Sequence, residues 1–208
     1  MTKLILIPIL LGLAIVSILV LIPENTSQSE SIYETGFTFY DVEKIKSALS
    51  TQNIFMSSPT AITDHTIGQY CTYFDDNSIQ RTVKYCTTTA ILNSEGQPLG
   101  NINMGGTTNG PVMALALLDT PDIFTSENGV SFVFETMIEI LVCDCWEQKQ
   151  PGGFESVGAW INAAKMKYVQ SSNTAPLKSK ISGLNDMNLI LEITLKDGSY
   201  LWTLIILK

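Results

Sequence analysis

Two apolar runs near the C-terminus, joined by an Asp-Gly turn, constrain the fold more than any other feature of the chain. Asn188–Leu195 reads NLILEITL, Tyr200–Leu207 reads YLWTLIIL, and KDGS separates them. An Asp-Gly pair between such runs is a strong short-range signal for a β-hairpin. Both runs are apolar on both faces, so we expect the hairpin to lie centrally in a sheet that is covered on each side.

The middle of the chain predicts more antiparallel strands. From Ile67 to Leu118, four runs rich in Tyr, Thr, Val or Leu follow one another: IGQYCTYF, RTVKYCTTTAIL, PLGNINM and PVMALALL. Turn-forming residues separate these runs, which is typical of a four-strand meander. In this prediction GGTTNG is a loop between the last two strands.

That loop belongs to the Gly-rich stretch Gly100–Pro111. It lacks the Lys-Ser/Thr pair of a phosphate-binding loop, and it precedes a strand rather than a helix N-terminus. The simplest interpretation is an inter-strand connection. Gly105, Gly106 and Asn109 are retained as candidates for backbone contact with a ligand.

Three segments have helical patterns. DVEKIKSALS starts with the capping residue Asp41 and predicts a short amphipathic helix. Ser131–Gln148 predicts a largely buried helix, with a strand as the alternative, and PGG at 151–153 ends it. From Val157 to Tyr168, apolar residues recur at helical spacing and predict a second packed helix. The expected fold class is α+β, an antiparallel sheet with two packed helices, in one domain over 37–208.

The N-terminus predicts a membrane anchor. Leu4–Ile22 is a run of apolar or uncharged residues, Lys3 precedes it, and no small-residue cleavage site follows it. A helix of about 20 such residues spans a bilayer, and a positive N-terminal flank stays in the cytoplasm. We therefore predict an anchor at 1–22, with a cleaved signal peptide as the alternative. The polar segment 23–36 is interpreted as a tether, and it contains a glycosylation sequon at Asn25.

The charge balance narrows the choice of partners. The chain has 12 Lys and Arg residues against 20 Asp and Glu residues, a formal net charge of −8. Nucleic acids and anionic lipid surfaces require clustered basic residues, so neither is an expected partner. The expected partners are the lipid bilayer, through the N-terminal helix, and a membrane or cell-surface protein.

Four cysteines outside the cytoplasm are expected to be oxidised, and they allow three pairings. A turn near Asn77–Ile79 would bring Cys71 opposite Cys86 in paired strands, at a distance that suits a disulfide. Cys143 and Cys145 would then close a very small ring, of the strained kind that is easily reduced. The alternative links these two separately to the other pair. That arrangement requires a strand, or a helix that has unwound at Cys143, because residues i and i+2 point about 200° apart on a helix.

The Cys-Asp-Cys sequence also has the composition of a redox dithiol or a soft-metal site. Thiolates favour Cu(I), which is the alternative to the expectation of no cofactor. Asp144 would raise the pKa of neighbouring thiols, which works against a reactive thiolate. His65 is the only histidine. It is therefore interpreted as a solvated or capping residue rather than as part of a catalytic pair, and no catalytic residue is predicted.

Four segments carry a resemblance to a known family: YDVEKIKSALSTQNI, YCTTTAILNSEGQPLG, LVCDCWEQKQPGGFES and ILEITLKDGSYLWTLI. Together they resemble a family of membrane-anchored ectodomains of ammonia-oxidising archaea, from about Tyr33 onward. The resemblance implies an archaeal cell membrane and a domain on its outer side, and it implies no activity. AILNSEGQPLG is also similar to the central hairpin of Cache and PAS sensor domains.

The sequence thus predicts a single-pass membrane protein with its N-terminus in the cytoplasm and an α+β domain outside. The leading functional hypothesis is a non-enzymatic binding or assembly module. The alternative hypothesis is a thiol-redox or copper-handling protein that acts through Cys143 and Cys145.

Overall fold

The computed structural model describes residues 36–63, 65–73, 80–124, 127–171 and 175–208. The predicted anchor Leu4–Ile22 and the tether up to residue 35 lie outside these ranges. Within them, no helix is both long enough and apolar enough to cross a membrane. The transmembrane helix therefore stays a prediction from the sequence.

The described residues form one antiparallel sheet of eight strands. The strands are β1 (Phe55–Met56), β2 (Thr60–Ile62), β3 (Tyr85–Leu92), β4 (Pro98–Thr107), β5 (Gly110–Thr120), β6 (Leu177–Leu184), β7 (Met187–Lys196) and β8 (Ser199–Leu207). Their spatial order is β1, β3, β4, β5, β8, β7, β6, and β2 pairs with β3 beside β1. The predicted α+β class with an antiparallel sheet is confirmed.

The described helices lie before β1, between β2 and β3, and between β5 and β6. They are α1 (Asp41–Ser50), α2 (Ile67–Tyr70), α3 (Glu127–Leu141), α4 (Trp146–Lys149) and α5 (Val157–Gln170), with a 3₁₀ turn at Pro151–Gly153. The helix α3 contacts β8, α5 contacts β6 and β7, and α1 packs against α3 and β1. The sequence predicts a helix in each of these three segments, but it predicts only two helices packed on the sheet, whereas α1 also contributes to this layer.

The C-terminal hairpin is confirmed. Its strands β7 and β8 are joined at Asp197 and Gly198, which both have positive φ, 52° and 89°. That backbone matches the right-handed twist of the two strands, and glycine adopts it without steric cost. Since β8 lies between β5 and β7, the hairpin is central in the sheet.

The two faces of the sheet are covered differently. The larger core lies under the helices and includes Trp160, Trp202 and Leu204, which are almost fully buried. On the opposite face a smaller cluster, which contains Leu115 and Ile205, packs against residues between β2 and β3. Leu201, on the same face, stays partly exposed. This second face of the sheet is therefore only partly covered, whereas the sequence predicts a cover on both faces.

The first strand of the predicted meander is wrong. IGQY forms the short helix α2, and the chain from Cys71 to Tyr73 is not a strand. The strand would have needed the free edge of β3, but β1 and β2 occupy that edge by pairing with Leu92 and Cys86. The segment instead places its apolar side chains on the second face of the sheet.

The predicted loop GGTTNG is also wrong. Strand β4 continues through Gly105 and Gly106 to Thr107, and only Thr108 and Asn109 form the turn to β5. A Cβ at Gly105 would lie 2.9 Å from Cys71 Cβ, and one at Gly106 would lie 2.3 Å from the carbonyl oxygen of Gly110. The two glycines thus permit close packing inside the sheet, which explains a strand where their composition predicts a loop.

Candidate functional site

The Cys-Asp-Cys segment lies where a buried helix ends. The helix α3 stops at Leu141, and the carbonyl oxygen of Ile138 accepts hydrogen bonds from the backbone N–H groups of both Val142 and Cys143. The side-chain amide of Asn185 donates to the carbonyl oxygen of Val142 at 2.8 Å. These bonds satisfy carbonyl groups that a helix C-terminus leaves open. The predicted helix Ser131–Gln148 is therefore interrupted between 142 and 145.

The chain resumes a helical path directly after the second cysteine. Cys145 is the N-cap of α4, and its carbonyl oxygen accepts from the N–H of Lys149. Trp146 follows, and its indole N–H donates to the carbonyl oxygen of Phe154 at 3.0 Å. The indole also packs against Trp160, with ring centroids 5.7 Å apart. The cysteine segment is thus fixed on both sides by packed structure.

The structure contains two disulfides, Cys71–Cys86 and Cys143–Cys145. The alternative pairing, which crosslinks Cys143 and Cys145 to the sheet, is not present. The first bond joins the end of α2 to β3, so the reason given for it from the sequence, two facing strands, is wrong. The Cys71–Cys86 bond nevertheless links the chain between β2 and β3 to the sheet on which that chain packs.

The two disulfides differ in burial and in the length of chain that they close. Cys71 and Cys86 have no exposed surface, whereas Cys143 and Cys145 are partly exposed. The sequence separations are 15 and 2 residues. In the chain-entropy model these loops correspond to stabilisation by about 3 and about 1.6 kcal/mol. The first disulfide therefore joins separate parts of the fold, and the second constrains only its own turn.

The Cys143–Cys145 disulfide lies in a cleft of about 250 Å³, here called the disulfide cleft. Acidic side chains dominate its polar lining. The lining residues are Glu135, Ile138, Glu139, Cys143, Asp144, Cys145, Trp146, Glu147, Gln148, Ser156 and Val157.

Glu139 is repelled by neighbouring carboxylates in the disulfide cleft. Partial burial raises the pKa of Glu139, and the negative charges of Glu135 and Asp144 raise it further. Each effect disfavours the ionised form of this carboxyl group. The cleft therefore favours positively charged groups over negatively charged ones.

A second concave surface, here called the aromatic groove, has a volume of about 600 Å³. It lies between the chain that leads into α1 and the strands β3 to β5. Its lining residues are Thr38, Phe39, Tyr40, Val42, Glu43, Pro59, Tyr85, Thr87, Thr108 and Asn109.

Two aromatic side chains of this groove pack on each other, and the backbone beside the third, Tyr40, is fixed. Phe39 packs edge-to-face on Tyr85, with ring centroids 5.0 Å apart. Asp41 accepts hydrogen bonds from the backbone N–H and the hydroxyl of Thr38, and it forms an ion pair with Lys44 at 2.6 Å. Burial acts to raise the pKa of Asp41, but the hydrogen bonds from Lys44 and Thr38 outweigh it and lower the pKa. These contacts fix the backbone on both sides of Tyr40.

Both surfaces lie at the same end of the sheet. The turn at Thr108 and Asn109 borders the aromatic groove, and the register continues from this end of β5 across β8 to the start of β7. There Asn185, in the turn before β7, bonds the segment that carries the disulfide. Of the ligand-loop candidates, Asn109 lines the groove, whereas Gly105 and Gly106 are buried in β4.

The aromatic groove is the surface that the sequence does not reveal. Phe39 and Tyr40 stand beside a helix cap, where aromatic residues are usually interpreted as core or surface packing. The only available signal is that Tyr40 lies outside the apolar stripe Val42–Ile45–Leu49 of α1. The position of Tyr85 opposite Phe39 depends on tertiary contacts across many residues, which no local pattern encodes.

In the part of the chain that the structure describes, no group of three or more His, Cys, Asp and Glu side chains is arranged to hold a metal ion. Cys143 and Cys145 are bonded to each other, so both sulfurs would have to be reduced before they could bind Cu(I). No family model, curated protein or solved structure matches the chain.

Proposed function

We propose that this protein is a membrane-anchored extracytoplasmic binding module whose ligand occupies the aromatic groove. The observation that carries the proposal is the exposure of Tyr40, 86% of its surface, at the edge of this groove. A large exposed aromatic side chain that lies beside further aromatic residues at a concave surface is a feature of interaction sites.

The shape and composition of the groove support this proposal. Its volume of about 600 Å³ falls within the usual range of ligand pockets, roughly 300–1,000 Å³. Phe39, Tyr40 and Tyr85 provide apolar contact area, and the turn residues Thr108 and Asn109 provide polar groups at the rim. We expect an uncharged ligand with apolar or aromatic parts, such as an extended peptide segment of a membrane or surface protein.

The cellular location rests on two observations. The uncharged run Leu4–Ile22 after Lys3 predicts a membrane anchor that leaves the domain outside the cytoplasm. All four cysteines are in disulfides, which is typical of an oxidising compartment. A fractionation experiment with protease added to intact cells tests this location, because an outside domain is digested and a cytoplasmic one is protected.

The groove is tested by site-specific photocrosslinking in native membranes. A photoreactive phenylalanine analogue at position 40 should give a discrete crosslinked product. The matched control carries the same analogue at Leu195, which is also exposed but lies at the opposite end of the sheet. This control should give no such product.

A second substitution shows whether the product depends on the groove. Thr108→Arg places a long charged side chain at the rim, at an exposed turn position where the fold tolerates it. The crosslink at position 40 should then weaken about tenfold or more, as expected for steric exclusion. Equal products at positions 40 and 195, or a product that is unchanged by Thr108→Arg, contradict the proposal.

A further inference from the structure

We infer that Cys143–Cys145 is a redox-active disulfide, which exchanges with thiols of positively charged substrates in the disulfide cleft. The two disulfides differ in how accessible they are to a thiol. Cys71–Cys86 is sealed in the core, whereas Cys143–Cys145 is partly exposed and lines an open cleft. Disulfides that a thiol can reach are the ones that exchange without prior unfolding.

The surroundings of the bond let it open and close without loss of the fold. It spans only two residue steps, and helix α3 has already ended at Leu141. On one side, Val142 is held by Asn185; on the other, Trp146 is held by Phe154. None of these hydrogen bonds uses a sulfur atom. Reduction therefore leaves the segment in place with two neighbouring thiols.

The carboxylates of the cleft determine which thiols react. Glu135 and Asp144 both repel Glu139, so a substrate that brings positive charge relieves this repulsion on entry. An anionic thiol meets four like charges instead, since Glu147 also lines the cleft. The same carboxylates disfavour the thiolate that leaves when the disulfide is attacked, and a substrate cation offsets that effect as well. The substrate class is a thiol or dithiol flanked by ammonium or guanidinium groups, such as a cysteine in a basic peptide.

The exchange is balanced in electrons and atoms. The substrate thiolate attacks one sulfur of the pair, a new S–S bond forms, and the Cys143–Cys145 bond breaks. The displaced thiolate takes up a proton. A second substrate thiolate then attacks the substrate sulfur of the mixed disulfide and releases the other cysteine, which is also protonated. The protein pair gains two electrons and becomes a dithiol, and the two substrate thiols lose them and become a disulfide.

The test compares two small thiols of opposite charge on the full chain in detergent. Cysteamine carries an ammonium group and 3-mercaptopropionate carries a carboxylate. Their rates at equal thiolate concentration are each divided by the rate of the same thiol with a small uncharged disulfide, because the thiolate of a less acidic thiol is intrinsically more nucleophilic. The comparisons that follow use these normalised rates. Alkylation followed by peptide mass spectrometry measures the reduction of each disulfide separately. We expect cysteamine to reduce Cys143–Cys145 at least about tenfold faster at low salt, the lower range of electrostatic rate enhancement. The ratio should approach one in about 1 M salt.

Two variants test whether the preference for cysteamine arises from the carboxylates of the disulfide cleft. The double variant E135Q/E139Q should lower the cysteamine preference several-fold, while Glu95→Gln, in the turn at the opposite end of the sheet, should leave it unchanged. Cys71–Cys86 should stay oxidised throughout. Equal rates for the two thiols, or reduction of Cys143–Cys145 only together with Cys71–Cys86, overturns the inference. Since no measurement depends on the aromatic groove, the result is independent of the proposed binding function.

Discussion

A single unsatisfied hydroxyl group limits the stability of the core. Among the residues that the structure describes, Thr89 Oγ1 is the one buried side-chain oxygen or nitrogen without a hydrogen-bond partner. Thr89 is almost fully buried in β3, opposite Ile102 of β4. A buried hydroxyl without a partner costs roughly 1–3 kcal/mol, because its hydration is lost and nothing replaces it.

Thr89→Val should therefore stabilise the protein by about 1 kcal/mol, since a methyl group of similar size replaces the hydroxyl. Equilibrium unfolding in urea measures the change. Thr120→Val is the matched control with the opposite sign. There the hydroxyl accepts from the indole N–H of Trp202 at 3.1 Å, and its loss leaves that buried N–H unpaired. A destabilised Thr89→Val variant would show that the hydroxyl has a partner in solution.

Glu139 gives a pH-dependent prediction. Its pKa in the folded state is raised by partial burial and by Glu135 and Asp144, so the folded protein binds a proton more readily than the unfolded chain does. Stability therefore falls as pH rises from about 4.5 through the raised pKa, and the loss is complete above it. Glu139→Gln removes this loss.

We expect Glu139→Gln to raise the midpoint of thermal unfolding at pH 7 and to have no effect below about pH 4, where the wild-type side chain is protonated. The gain should be a few tenths of a kcal/mol, because the partly buried side chain is still largely exposed and water screens its charge. Melting curves between pH 3.5 and 8 measure it, and Glu95→Gln controls for the change in net charge. A gain that persists at pH 3.5 would contradict the assignment to charge repulsion.

At the scale of single helices and strands, local sequence patterns predict the elements whose structure depends on residues close in sequence. The helix from Val157 is correct because its buried residues Val157, Trp160, Ile161, Ala164 and Tyr168 recur at helical spacing. The C-terminal hairpin is correct because Asp197 and Gly198 encode its turn directly. The strand predicted at Ile67 fails because β1 and β2 compete for the same edge of β3, and that competition is decided by tertiary contacts.

In strand β4, close packing requires a glycine, and the amino-acid composition of the segment does not reveal this requirement. A Cβ at Gly105 would lie 2.9 Å from Cys71 Cβ and 3.0 Å from its Sγ, and the disulfide prevents Cys71 from moving away. Gly105→Ala should therefore destabilise the protein by about 1–3 kcal/mol, the usual cost of overpacking a core. Urea unfolding measures this loss.

Gly129→Ala is the matched control for that substitution. Gly129 lies in α3, and a Cβ added there meets no atom within 4 Å. Because alanine favours a helix over glycine, this variant should be stabilised by about 0.5–1 kcal/mol. If both alanine variants are equally stable, the close approach of the disulfide to β4 does not exist in solution.

At the scale of the whole molecule, the class and the cysteine pair could be predicted from the sequence, but the surroundings of the two sites could not. Apolar hairpin strands and amphipathic helices require an α+β fold with a covered sheet, whatever the details. The aromatic groove requires that Phe39 meet Tyr85, and the disulfide cleft requires that α3 end at Leu141. Neither condition is visible in a local pattern, since each depends on partners that lie 40 or more residues away.

The order of the strands predicts how stability is distributed over the sheet. Strands β5 and β8 lie at its centre, with helices on one face and the cluster around Leu115 and Ile205 on the other. Opening their hydrogen bonds requires most of the core to open, so their amides should exchange only by global unfolding. Strand β6 lies at an edge and carries exposed Lys178 and Lys180, so its amides should exchange through local fraying.

Native-state hydrogen exchange measures these differences residue by residue. We expect the amides of Leu115 and Leu204 to be among the slowest, and those of β1, β2 and β6 to exchange at least about a hundredfold faster, a difference of about 2.7 kcal/mol in opening free energy. Reduction of Cys143–Cys145 alone should leave this order unchanged, because the bond constrains only its own turn. If the amides of α1 or β6 outlast those of β8, the core of the molecule lies elsewhere than beneath the C-terminal hairpin.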